Sequence, residues 1–148
     1  MTASEVRNYA VRARSTDTHG RVLCNARNHH FIVDGPVQNG APGEEVTPAE
    51  LFLAGVAACG VELVQAFAKA ESIPLRAINV DIAGTLDRAN PVRKDLSVLN
   101  SVQLRIHLTG VTAAQGATLI DRFKNRLPLY GSVAVATPDV KVDVHTEQ

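Results

Sequence analysis

The stretch that decides the fold is Thr47-Pro48-Ala49-Glu50-Leu51-Phe52-Leu53-Ala54-Gly55-Val56-Ala57-Ala58-Cys59, continued by Gly60-Val61-Glu62-Leu63-Val64-Gln65-Ala66-Phe67-Ala68. It opens with a helix start signal. Thr47 and Glu50 have capping-box spacing, and Pro48 occupies the first helical position, where its missing N–H costs nothing. The helix is predicted to run to about Glu71, ahead of Pro74. Leu51, Phe52, Leu53, Val56, Val61, Leu63, Val64 and Phe67 point in many directions around its axis. A helix that is apolar nearly all round must be enclosed by protein. One small sheet covers one side only, so the other side is expected to meet a partner subunit. The run from Leu51 to Ala68 approaches the length of a membrane span. Glu62 and Gln65 interrupt it, so a buried helix is the expectation.

The remaining elements are read outward from this helix. Residues 9–34 alternate as strands with tight connections, and Gly35-Pro36 stops the last of them. Residues 35–47 form a loop. After the helix, Ile78, Val80 and Ile82 alternate, with Gly84 marking a bulge or a close backbone approach. Residues 88–97 are a polar loop. Val102, Leu104, Ile106 and Leu108 alternate with polar residues in the cleanest strand of the chain. Thr112-Ala113-Ala114-Gln115 is a second capping box, opening a helix to about Arg126 with Leu119, Ile120 and Phe123 as its apolar stripe. Leu127-Pro128 is read as its stop, Tyr130–Val135 as one further turn, and Val140, Val142 and Val144 as a short last strand. The order is that of an α+β fold, and the 148 residues are expected to form a single domain, 1–148.

Charge excludes several functions. Fifteen basic residues balance fifteen acidic ones, so no electrostatic signature of nucleic-acid or anionic-membrane binding is present. Two cysteines, Cys24 and Cys59, are too few for a secreted disulfide scaffold. The start, Met1 to Arg7, is polar and lacks the apolar segment of a signal peptide, so a cytoplasmic location is expected.

The segment from His30-Phe31-Ile32-Val33-Asp34-Gly35-Pro36 through Thr47-Pro48-Ala49-Glu50-Leu51 to Cys59 resembles the OsmC/Ohr family. The resemblance implies antiparallel sheets wrapped around central helices in an intertwined homodimer, with two sites at the interface. It also implies a thiol peroxidase that reduces organic hydroperoxides. In that chemistry a helix cysteine attacks the peroxide, a second cysteine resolves the sulfenic acid, and an arginine and a glutamate assist. Cys59 matches the attacking position. The resolving position, just before a proline after the second helix, is Leu127 here, so an external thiol would have to act as reductant. The glutamate position holds Ala49, with Glu50 beside it and already explained as a cap. The arginine belongs in the first hairpin, at a position that the best register gives to Thr18 or His19; Arg14, Arg21 and Arg27 lie nearby in sequence, and Arg21 is the first choice. The candidate catalytic set is therefore Cys59, Arg21 and Glu50.

Chemistry sets what these residues must do. The thiolate is the nucleophile, and an ordinary cysteine is only a few per cent ionised near neutrality. Cys59 lies about three turns into its helix, beyond most of the N-terminal dipole. Val56, Ala58, Gly60 and Leu63 bring it no positive charge. Activation must come from a strand arginine. Without it, the scaffold is a non-enzymatic dimer whose pocket holds a small apolar or acyl ligand, or a purely structural dimer. Cys24 reads as a small strand residue. A metal site from Cys24, His29 and His30 is disfavoured, because adjacent strand histidines point to opposite faces. No cofactor and no metal are expected.

Overall fold

A computed structural model of the chain describes residues 5–148. The first four residues of the polar start, Met1 to Ser4, lie outside the described residues. The chain divides into two compact units, the first ending at Leu51 and the second running Phe52–Gln148.

The first unit is a meander of β1 (Arg12–Ser15), β2 (Arg21–Ala26) and β3 (His29–Asp34), antiparallel throughout, followed by a loop. Cys24 is buried on β2, between Ala13 and Phe31 in register. The loop is held back on the hairpin by backbone bonds. The Gly35 amide donates to the Gly20 carbonyl at 2.8 Å, and the Asp34 amide to the Val46 carbonyl at 3.1 Å. Gly20 has φ of +77°, and a Cβ there would run into Ala41, so only glycine allows this close approach.

The helix α1 spans Pro48–Ala70. Its cap forms as the sequence dictates: the Thr47 amide donates to Glu50 Oε2 at 2.7 Å, and the Glu50 amide to Thr47 Oγ1 at 3.3 Å. Such a box stabilises a helix start by about 1 kcal/mol. Its length and apolarity would suffice to cross a membrane. Its fully buried positions are Val56, Gly60, Val64 and Ala68, a single stripe at i, i+4 spacing. Phe52 stays 54% exposed. Enclosure on all sides is thus not provided within the second unit.

In the second unit β4 (Ala77–Thr85), β5 (Ser101–Thr109) and β6 (Asp139–Glu147) form one sheet in that order. The inner face carries Ile78, Val102, Leu104, Ile106 and Leu108, which pack with the α1 stripe and with Leu119, Ile120 and Phe123 of α2 (Ala113–Arg126). The α2 cap is a complete box between Thr112 and Gln115. Gly84 pairs in unbroken register with Val102, so it makes no bulge. Instead a Cβ there would touch Leu53 and Leu99 at 3.4 Å, the close approach.

Two features differ from the sequence expectation. Pairing is antiparallel for β1–β2, β2–β3 and β4–β5, but β5 and β6 run parallel. The two helices between them carry the chain back to the end where β5 began, the connection a parallel pair requires. The segment after Leu127 is also a full helix, α3 (Pro128–Ala136), rather than one turn. Pro128 stands at its first turn, where proline starts a helix as readily as it ends the preceding one.

Candidate functional site

Cys59 sits in the middle of α1, half-buried against the core of the second unit, with a free thiol. Its depth is set by the next residue. Gly60 meets α2 so closely that a Cβ there would lie 2.6 Å from Phe123 Cε2 and 3.6 Å from Leu127 Cδ2. The position before Pro128 therefore lies beside the residue that follows Cys59. Leu127 is buried there, an apolar contact with no redox chemistry. Cys24, also a free thiol, belongs to the first unit.

Glu50 lies nine residues before Cys59 on α1, half a revolution round and about 13 Å along the axis. Its carboxylate receives the Thr47 amide and the Thr47 hydroxyl, at 2.7 and 3.0 Å. Those bonds hold its pKa below the ordinary glutamate value. The helix start, not the thiol, occupies it.

Arg21 is at the start of β2, directly opposite Asp34 on β3. Its Nε and Nη2 donate to Asp34 Oδ1 and Oδ2, both at 2.8 Å, in a two-pronged pair, and Nη2 also donates to Glu44 Oε2 at 2.6 Å. Asp34 is fully buried, and the Glu44 and Glu45 amides donate to its Oδ2 at 3.0 and 3.1 Å. Both carboxylate oxygens thus have partners, as a buried charge requires. Arg21, with the Glu45 and Glu44 amides, holds the Asp34 carboxyl well below the usual carboxylate range, against the opposing effect of burial. The same two carboxylates raise the Arg21 guanidinium. The Nε and Nη2 edge of Arg21 is committed, while Nη1 has no hydrogen bond among the described residues.

The sequence reading missed Asp34 as a partner for Arg21. The available signal was an acid ending an apolar strand, but the register that sets it opposite Arg21 is tertiary. A pH dependence follows. A carboxyl with a lowered folded pKa stabilises fully above its unfolded value of about 3.9, and that stabilisation is lost as pH falls below it. Asp34→Asn should speed amide exchange at Glu44 and Glu45 near neutrality. The difference from wild type should shrink below about pH 4. A difference that persists unchanged into stronger acid would show that the charge plays no part.

Among the described residues, no three His, Cys, Asp or Glu side chains converge on a point where a metal would sit. His29 and His30 are exposed neighbours on β3.

Comparison with known proteins bears on this arrangement. The family model described as OsmC-like protein matches residues 41–143, which include α1 with Cys59. No curated protein matches the sequence. Among solved structures, the chain is similar to an OsmC-like protein from Mycoplasma pneumoniae, with TM-score 0.83 and 17% identity over 96% of this chain and 99% of that one. It is similar to an organic hydroperoxide resistance protein OsmC from Legionella pneumophila, with TM-score 0.74 and 21% identity over 95% and 98%. It is also similar to an organic hydroperoxide resistance protein from Elizabethkingia anophelis, crystallised with thiocyanate, with TM-score 0.74 and 18% identity over 98% of each chain. At these identities the structural likeness concerns the fold, and the match over 41–143 settles membership: the chain belongs to the OsmC-like protein family.

Proposed function

We propose that the protein is a thiol-dependent organic hydroperoxide reductase in which Cys59 is the sole nucleophile. The observation that carries this reading is a free, half-buried thiol on α1, inside the segment matched by the family, with buried Leu127 where a second thiol would be needed. The Cys59 thiol gives up its proton, its thiolate attacks the terminal hydroxyl oxygen of the hydroperoxide, and the O–O bond breaks. The alcohol leaves with a proton, and Cys59 is left as the sulfenic acid. An external thiol then condenses with it, releasing water and forming a mixed disulfide. A second external thiol frees Cys59 and leaves the reductant oxidised. Arg21 is the proposed cation for the developing charge through its unbonded Nη1 edge, and Glu50 supports the site through the helix start. The working form is an intertwined homodimer, which would cover the α1 surface that one chain leaves open.

Consumption of cumene hydroperoxide with dithiothreitol present tests the reading. Wild type should turn over, and Cys59→Ser should fall at least a hundredfold, to background. Equal background rates in both would sink the proposal.

A second reading is a non-enzymatic dimer that holds a small apolar or acyl ligand. The commitment of Arg21 to two carboxylates and of Glu50 to its cap favours it. Alkylation of Cys59 across pH separates the two. A thiol reactive well below pH 8 supports catalysis, because an ordinary cysteine ionises near 8.5. Inertness up to about pH 9 supports the binding role.

A further inference from the structure

Between Leu51 and Ala68 the helix α1 carries one carboxylate, Glu62, and it stands one turn beyond Cys59. Phe52, Gly55, Cys59 and Glu62 follow at i, i+3, i+7 and i+10, the spacing of one side of a helix. The buried stripe of Val56, Gly60, Val64 and Ala68 runs along the other side. Cys59 stands at the border of that stripe and is half-buried, while Glu62 is exposed. The two residues are about 60° apart round the axis, with β-carbons about 5–6 Å apart. Helical side chains lean toward the N-terminus, so Glu62 covers the turn that holds the thiol. The acids near the two ends of the helix are occupied, Glu50 by the Thr47 amide and Glu71 by Arg122 Nε. Among the described residues, no hydrogen bond or ion pair engages the Glu62 carboxylate.

We propose that Glu62 is a catalytic proton carrier between Cys59 and the hydroperoxide, an assignment that rests on the thiol-dependent reductase reading. The carboxylate accepts the Cys59 S–H proton. The sulfur attacks the terminal hydroxyl oxygen, the O–O bond breaks, and its electron pair goes to the departing alkoxide oxygen. Glu62 gives that oxygen the proton. The alcohol leaves neutral, Glu62 is again a carboxylate, and Cys59 is the sulfenic acid. A carboxylate acting only as a neighbouring charge would have the opposite effect, because a like charge disfavours the thiolate. Magnitudes decide between the two. Across 5–6 Å of solvent-facing space the repulsion slows a thiolate reaction by only about threefold to fourfold. Proton transfer by a positioned group accelerates a reaction by about a hundredfold or more. The transfer therefore outweighs the repulsion.

Two rates separate the effects, since alkylation by iodoacetamide needs only the thiolate, whereas hydroperoxide reduction also needs the proton returned. In Glu62→Gln, alkylation of Cys59 at pH 7 should be unchanged or up to about fourfold faster. In the same variant kcat/KM for cumene hydroperoxide, with dithiothreitol present, should fall at least tenfold. Glu62→Asp should recover part of that loss. Glu62 is exposed, so both variants should fold, which the urea midpoint checks. A Glu62→Gln variant that reduces hydroperoxide at the wild-type rate or faster overturns the proposal. So does a loss matched by an equal loss in alkylation, which would mark a displaced thiol. Wild type no faster than Cys59→Ser would instead sink the reductase reading, and the proton carrier with it.

Discussion

Phe123→Ala is expected to destabilise the second unit by about 3–5 kcal/mol. Phe123 is fully buried and is the largest side chain of the α2 stripe. Its ring packs at 5.2 Å, tilted by 57°, against Tyr130 of α3, and its edge fills the approach to Gly60 of α1. Three helices therefore meet on one ring. Removing it loses the transfer free energy of the ring and leaves a cavity that three fixed helices cannot close. In urea the midpoint should fall by roughly 2 M, at an unfolding slope of about 2 kcal/mol per molar. Phe123→Leu, which keeps most of the volume, should cost under about 1.5 kcal/mol. A loss below about 1 kcal/mol for the alanine variant would mean that the helices collapse onto the space, and that the ring does not hold them apart.

Gly60→Val is expected to cost about 3 kcal/mol or more, despite replacing a residue poorly suited to a helix. Any side chain other than proline's is better than glycine for an isolated helix, by up to about 1 kcal/mol. Here the added Cβ would lie 2.6 Å from a Phe123 ring that has nowhere to go, and valine adds two methyls beyond it. Overpacking of a filled core costs about 1–3 kcal/mol for smaller insertions. The decisive check is a double-mutant cycle. Gly60→Ala should destabilise wild type, while in the Phe123→Leu background most of that loss should disappear, a coupling of about 1–2 kcal/mol. A stabilising Gly60→Ala in wild type would refute the close approach. Because Cys59 is the next residue, pushing α1 away from α2 also moves the thiol. On the proposed peroxidase reading, hydroperoxide consumption by Gly60→Ala should fall even where the protein stays folded.

These two contacts explain why the candidate site was only partly legible. Cys59 could be found because its helix announces itself through Thr47, Pro48, Glu50 and a long apolar run, and because the segment resembles a family. The same resemblance sets Leu127 at the position where the family's second cysteine is expected. That Leu127 lies against Gly60 could not be read, since 67 positions separate the two in the chain. Arg21 could be named only as one of three hairpin arginines. Its commitment to Asp34 and Glu44 depends on strand register and on the path of a loop without regular structure.

The sequence by itself determined the elements whose signals are local. Both capping boxes, the length of α1, the Leu119–Ile120–Phe123 stripe and the alternation of β5 each arise from residues within a few positions of one another. The tertiary structure alone decided the parallel pairing of β5 with β6, the extent of α3, the single buried stripe of α1 and the burial of Asp34. Each of these turns on which distant segment arrives as a neighbour. A residue's polarity and propensity say what it can pair with, but the balance of burial and hydrogen bonding over the whole fold selects the partner. For Asp34 that selection changed a strand-ending acid into the fixed anion that holds Arg21.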